Sequence, residues 1–373
     1  MRAFVFTDKA LERYAGRFVW LSVDTENSKN ADFLKKYPIN VWPTMLVVDP
    51  AKERVTLRYA GGATVGQLSK LLDQAQSKTK SPADDALAHA DRLANEGKNP
   101  DAAKEYERAL SAAPKGWKPL GRAAEGLMMA LTMTNASEPC ATRAEELYPR
   151  LRGTLSGANV AAYGLSCAAD LPAEHKQRAA LLASLEKATR ASLDDKTIDM
   201  SGDDRSGLYE SLVSARKAAK DEEGAKTVAE QWAAFLEGEA KRAKTAEQRA
   251  VYDSHRITAY LDLGTPEKAL PMLEQSERDF PTDYNPPARL GLIYRTMKKY
   301  DEALAAYDRA LKLAYGPRKI GILRGRADTL LAKGDKEAAK ETMRDAIAYA
   351  KSLPSGQVSE RMIGALEKRL QTM

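Results

Sequence analysis

The sequence predicts an α+β chain that is mostly α: a small α/β segment followed by a long all-α solenoid of helical repeats. Three observations carry this. Pro287–Tyr315 reads as two amphipathic helical segments joined by a short Lys-Lys-Tyr-Asp turn, with apolar residues at helical spacing. The small residue opening the second of those segments, Ala303, has a counterpart 34 residues upstream at Ala269. Residues 1–80, in contrast, hold short β-rich apolar runs broken by turn residues. Two short helices cannot bury their apolar faces alone, so a recurring pair implies a stack.

Taken in order, Arg17–Asp24 (RFVWLSVD) is largely apolar and predicts a buried strand. Asn30–Tyr37 predicts a short helix, Thr44–Val48 a second strand, and Arg54–Tyr59 an alternating third one beyond the Asp49-Pro50 turn. Val65, Leu68, Leu71 and Leu72 then mark the apolar face of a helix over 65–76. Residues 77–83 form a polar linker ending near Pro82. A helix from Asp84 to Glu96 stops at Gly97, and the next is expected to take Asn99 as N-cap with Pro100 in its first turn. Further helices are expected at Leu120–Met133, Ala141–Arg152, Ala158–Cys167, Ala173–Leu193, Arg205–Lys220 and Gly224–Ala243. The resulting division is 1–76 for the α/β segment, 77–83 linker, 84–117 a first repeat, 118–250 degenerate helical pairs, 251–354 three repeats and 355–373 a C-terminal capping helix.

Leu290, Gly291, Tyr294, Ala303, Tyr307 and Ala310 hold fixed spacings, with Gly291 and Ala303 small where two helices cross. This run resembles the tetratricopeptide repeat, whose signature is L-G-x₂-Y followed by A-x₃-F/Y-x₂-A and a closing proline; Tyr315 stands at the proline position. Ala269 with Tyr260, Leu273 and Pro281, Ala339 with Met343 and Ala346, and Ala102 with Tyr106, Ala109 and Pro114 give three further units. The resemblance implies a groove lined by the first helix of each pair, here Thr258, Leu261, Leu292, Arg295, Thr296, Arg324 and Asp328, which would take a protein or peptide partner. The family's Lys/Asn clamp for a C-terminal carboxylate is not reproduced, since Asp328 stands where a clamp Asn would help.

Tyr37-Pro38-Ile39-Asn40-Val41-Trp42-Pro43-Thr44 followed by MLVVD resembles the Y-G-V-x-G-x-P-T run of thioredoxin-fold proteins, and Phe6-Thr7-Asp8 their F-S/T-D step. The resemblance covers about 1–76 and implies a cis proline at Pro43, flanked by Trp42 and Thr44; a Trp directly before that proline is unusual for the family. The family's C-x-x-C is missing from this sequence, and thiol–disulfide exchange needs a low-pKa thiolate. Two functions follow as expectations. One is a non-catalytic interaction scaffold beside a partial thioredoxin-like domain. The other is a thiol-disulfide oxidoreductase serving cell redox homeostasis, whose C-x-x-C lies on a strand upstream of Met1, with an export signal before it.

Forty-three per cent apolar and 29% charged residues suit a folded chain, and no apolar run is long enough for a membrane helix. Of the net charge of +6, residues 1–80 carry 13 basic against 8 acidic residues and the remainder 45 against 44, so the array offers no basic stripe for nucleic acid. The three histidines are scattered, the Asp-rich stretch 194–204 fails the calcium-loop register, and no phosphate-loop, serine-nucleophile or zincin motif is present, so no catalytic residue, metal or cofactor is expected. Cys140 opens one expected helix and Cys167 closes the next, placing both at one end of a helical hairpin as a candidate disulfide. Such a bridge implies an oxidising compartment, the periplasm if an exported upstream segment exists; otherwise the chain is expected in the cytoplasm.

Overall fold

The computed structural model describes residues 1, 4–39, 41–77 and 81–373. They are mostly helical and fall into two compact units, residues 1–19 with 39–239 and residues 20–38 with 240–373. Part of the expected 77–83 linker, residues 78–80, and Asn40 of the Tyr37–Thr44 run lie outside the described residues.

The first unit contains an antiparallel hairpin of β1 (Thr44–Asp49) and β2 (Arg54–Ala60), in register from Thr44↔Ala60 to Asp49↔Arg54 with an irregularity at Val47/Val48. Alternation along β2 turns Val55, Leu57 and Tyr59 inward. α2 (Val65–Gln76) starts on a reciprocal Thr64/Gln67 capping box and lays Leu68, Leu71 and Leu72 against Leu57, Tyr59 and Val5. Each such side chain, fully buried, contributes roughly 1.5–3 kcal/mol. Tyr14 joins this core with its ring wholly buried, and its hydroxyl donates to Ser69 O at 2.9 Å and Asp73 Oδ1 at 2.7 Å.

The expected strand at Arg17–Asp24 is not one. The chain there is irregular, with Val19 89% and Leu21 77% exposed, and residues 20–24 belong with the second unit. An apolar, β-prone run becomes a strand only where a neighbour supplies the ladder of backbone bonds, and the described residues offer none here. The sheet among the described residues is therefore two-stranded. The Trp42–Pro43 peptide bond is cis, Trp42 is 56% exposed, and Thr44 Oγ1 donates to Val41 O at 2.7 Å.

Helices follow in succession: α3 (Pro82–Asn95), α4 (Asn99–Ser111), α5 (Leu120–Met133), α6 (Ser137–Leu151), α7 (Leu155–Ala169), α8 (Arg178–Asp194), α9 (Gly202–Ala218) and α10 (Glu222–Arg242). α3 begins earlier than Asp84 because Ser81 and Asp84 form a capping box with Pro82 in the first turn. Asn99 is not the N-cap of α4 but its first residue; Lys98 is the cap, without a side-chain bond. The helices pack in sequence, and the first members of the pairs, α3, α5, α7 and α9, also adjoin one another. In the Asp-rich stretch, Ser201 and Asp204 form the capping box of α9, and Asp199 Oδ2 accepts from Thr64 Oγ1 at 3.1 Å.

The second unit holds α1 (Ala31–Lys36), α11 (Ala246–Ala250), α12 (Asp253–Asp262), α13 (Leu270–Asp279), α14 (Asn285–Thr296), α15 (Tyr300–Leu313), α16 (Gly316–Lys333), α17 (Lys336–Ser352) and α18 (Glu360–Gln371). Ala269, Ala303, Ala310, Ala339 and Ala346 are wholly buried, as small residues at helix crossings must be. Leu366 of α18 packs with Met343 and Ala346 of α17, extending the repeat core to the last helix.

Candidate partner-binding surfaces

In the first unit the inner faces of α5, α7 and α9 and the end of β2 enclose a cavity of about 380 Å³. Its polar lining comes mainly from successive first helices: Arg122 and Glu125 on α5, Asn159 and Tyr163 on α7, and Asp203, Asp204, Glu210 and Ser211 on α9. Arg58 through Gly62 forms one wall. Asn159 Nδ2 donates to Glu125 Oε1 at 3.1 Å. Burial pushes Glu125 up to about 7, against the lowering effect of its bonds from Asn159 and Ser156. Burial likewise raises Tyr163 to about 12, helped by the charge of Glu125. The cavity thus offers a carboxyl that titrates near neutrality beside phenol and amide donors, a surface suited to hydrogen-bonding a polar main chain or side chain.

Asp91 of α3 fixes the hairpin to this face. Wholly buried, it accepts from the Arg58 backbone N–H at 3.1 Å, from the Tyr106 hydroxyl at 2.9 Å and from the Arg122 guanidinium. Arg122 also donates to Arg58 O at 3.3 Å and to Gln74 Oε1 at 3.1 Å. One carboxylate therefore ties β2, α3, α4 and α5 together. The close helix approach is set by Gly126, where a Cβ would meet the Tyr106 ring at 2.5 Å.

The groove residues expected from sequence lie in the second unit, on α12 (Thr258, Leu261), α14 (Leu292, Arg295, Thr296) and α16 (Arg324, Asp328). The structure brings Arg295 and Asp328 together at 3.5 Å and adds Arg369 of α18 at 3.0 Å from the same carboxylate. Thr258 and Thr296 turn their hydroxyls onto their own helices, donating to Ser254 O and Leu292 O. Arg324 and Thr296 are exposed, and Leu261 and Leu292 are partly buried. Glu125 and Tyr163 escaped the sequence reading because the repeat signature is faint there. The available signal was a lone carboxylate, one turn after Arg122, in a largely apolar helix, LGRAAEGLMMAL.

Cys140 of α6 and Cys167 of α7 have Sγ atoms 2.08 Å apart and Cα atoms 6.0 Å apart. No group of side chains suited to a metal ion occurs among the described residues, and none of their helices is long and apolar enough to cross a membrane.

Residues 284–352 match the family model described as tetratricopeptide repeat, and this stretch of the chain is a tetratricopeptide-repeat region. No match to a curated protein was found. Among solved structures, a thermophilic TPR protein of Thermus thermophilus is similar at 19% identity and a TM-score of 0.34, over 67% of this chain and 99% of that one. The TPR2AB domain of yeast Sti1 in complex with pHSP90 is similar at 14% identity and a TM-score of 0.28, over 78% of this chain and 98% of that one.

Proposed function

We propose that the chain is a non-catalytic protein-interaction scaffold, in which helical repeats hold a protein or peptide partner. The observation that carries this reading is the cavity lined by polar side chains from three successive first helices, α5, α7 and α9. A solenoid presents such side chains in register along a continuous concave face, which suits an extended segment better than a compact small molecule. The first-helix residues of the second unit, Thr258, Leu261, Leu292, Arg295, Thr296, Arg324 and Asp328, belong to the proposal as a further stretch of partner-facing surface.

Thiol–disulfide exchange forms no part of this reading. The two cysteines of the sequence stand in α6 and α7, and neither has the C-x-x-C partner that makes a thiolate reactive. A thioredoxin-like origin for residues 1–76 remains a proposal about fold. What supports it is the order of hairpin then α2, with Trp42 and the cis Pro43 preceding β1, which opens at Thr44.

Selection of a random dodecapeptide library on the immobilised full chain tests the function. Enriched peptides are expected to lose at least about tenfold in affinity on Ser211→Trp, which fills the cavity, and to be unaffected by Glu230→Ala on the exposed face of α10. Failure to enrich any peptide, or affinities indifferent to Ser211→Trp, would overturn the proposal.

A further inference from the structure

The second unit already holds an acidic turn of chain, closed by Asn27 N–H donating to Asp24 O at 3.4 Å. Residues 20–38 belong to it, and Asp24-Thr25-Glu26 lies at the entrances of α14 and α16 and the turn before α18. The Glu26 carboxylate accepts from the Tyr284 hydroxyl at 2.7 Å and 2.9 Å and from Arg318 Nε at 3.1 Å. Asp24 Oδ2 accepts from the Tyr315 hydroxyl at 2.9 Å, while its Oδ1 accepts from the Glu26 backbone N–H at 2.9 Å. Gln357 Nε2 donates to the main chain, to Glu26 O at 3.1 Å and Thr25 O at 3.4 Å. Main chain meets main chain at Gly316, where φ is +57° and a Cβ would stand 2.2 Å from Glu26 O.

This is recognition of a sequence class rather than casual packing. Both acidic side chains have hydroxyl or guanidinium donors, the carbonyl between them accepts from Gln357, and a glycine admits the backbone. The donors also come from different repeats: Tyr284 precedes α14, Tyr315 and Arg318 begin α16, and Gln357 precedes α18. Tyr284 and Tyr315 meet edge to face with centroids 6.4 Å apart, which fixes the spacing of their hydroxyls. A donor-rich cradle with one guanidinium and rigid aromatic sides, beside the Asp283 carboxylate, accepts carboxylates.

We infer that Tyr284, Tyr315, Arg318 and Gln357 form a binding site for an acidic turn of the Asp-Thr-Glu type, and that residues 24–26 are its resident occupant, which a partner's acidic turn displaces. The site is separate from the cavity of the first unit, so it stands or falls independently of what that cavity binds. Exchange has to overcome the effective concentration of a tethered segment, and it can begin at the rim, where Arg318 is 58% and Tyr315 48% exposed.

A fluorescein-labelled peptide of residues 20–30 tests this against the full chain. Wild type is expected to bind it weakly, because the cradle is filled. The variant Asp24→Ala/Glu26→Ala, whose own segment no longer competes, is expected to bind at least about tenfold more tightly. Adding Arg318→Glu to that variant should remove the gain, and the peptide with Asn and Gln in place of its acids should not bind. Equal binding by wild type and the double variant, or none by a double variant with an unchanged circular dichroism spectrum, overturns the inference. Should the double variant fail to fold, amide exchange of residues 24–26 in wild type under excess peptide decides. Faster exchange supports displacement and unchanged exchange refutes it.

Discussion

Gly291 of α14 lies against the ring of Tyr307 of α15 so closely that a Cβ at 291 would stand 2.7 Å from it. Gly325 of α16 faces the same ring from the next repeat, where a Cβ would stand 2.9 Å from it. Tyr307 is thus held between two glycines, and moving it away from one drives it into the other. In the first unit Gly126 meets Tyr106 in the same manner.

From this it follows that Gly291→Ala destabilises the second unit by about 1–2 kcal/mol, although Ala is the better helix former by about 1 kcal/mol. Gly321→Ala is the control. That position in α16 is exposed, with nothing within 4 Å of a Cβ, so the same substitution should stabilise by roughly 0.5–1 kcal/mol. Ala303→Leu, at a wholly buried crossing, should cost about 1–3 kcal/mol. Urea unfolding of the three variants provides the check, and matched effects at 291 and 321 would refute the argument.

How much of this was legible beforehand depends on the kind of residue. Gly291, Ala303 and Tyr307 could be read from sequence because helix crossings demand small residues at fixed spacing, and that demand leaves a periodic trace. The hairpin and α2 were legible because alternation and the Leu68, Leu71, Leu72 face are local patterns. Arg17–Asp24 was misread because its apolar run satisfies local propensity, while pairing is a long-range matter. Asp24 and Glu26 were invisible as ligands: their partners stand some 260 to 330 residues away in sequence. Glu125 was missed because its meaning depends on α7 and α9 closing over it.

Asp91 gives a second test. Asp91→Ala leaves the buried Arg122 guanidinium without its carboxylate and the Tyr106 hydroxyl without its acceptor. The expected cost is about 3–5 kcal/mol, the usual penalty for breaking one side of a buried pair. Asp91→Asn, which retains an acceptor, should cost clearly less. Equal losses would mean that the charge, absent from both variants, carries the whole effect and the acceptor geometry at 91 none of it.

Glu125 makes stability depend on pH in a stated direction. Its value rises from 4.5 to about 7 on folding through burial, so the folded chain holds this proton to higher pH than the unfolded chain does. Stability from this group is therefore highest below pH 4.5 and is lost as pH rises through 7. Glu125→Gln removes the dependence. Relative to wild type the variant should gain about 1–2 kcal/mol between pH 5 and pH 8, a figure reduced from the full linkage because the carboxyl opens onto groove water. Denaturant midpoints at the two pH values measure it, and a difference that does not change with pH contradicts the assignment.

The Cys140 and Cys167 pair is proposed to form a structural bridge in an oxidising compartment. Closing a loop of 27 residues is worth about 3 kcal/mol in the chain-entropy model. Titration of the denatured, unreduced protein should find no reactive thiol, and reduction should lower the melting temperature. Two titratable thiols would remove the bridge from the account.

The proposed role of the repeats is to hold a partner on their inner face. Its most direct measurement is the site of photo-crosslinking by a selected peptide carrying benzophenone, mapped on the full chain by mass spectrometry. Adducts are expected on the cavity-lining residues of α5, α7 and α9, such as Met129, Tyr163 and Ser211. Adducts confined to α6, α8 and α10, the second helices of those pairs, would contradict it.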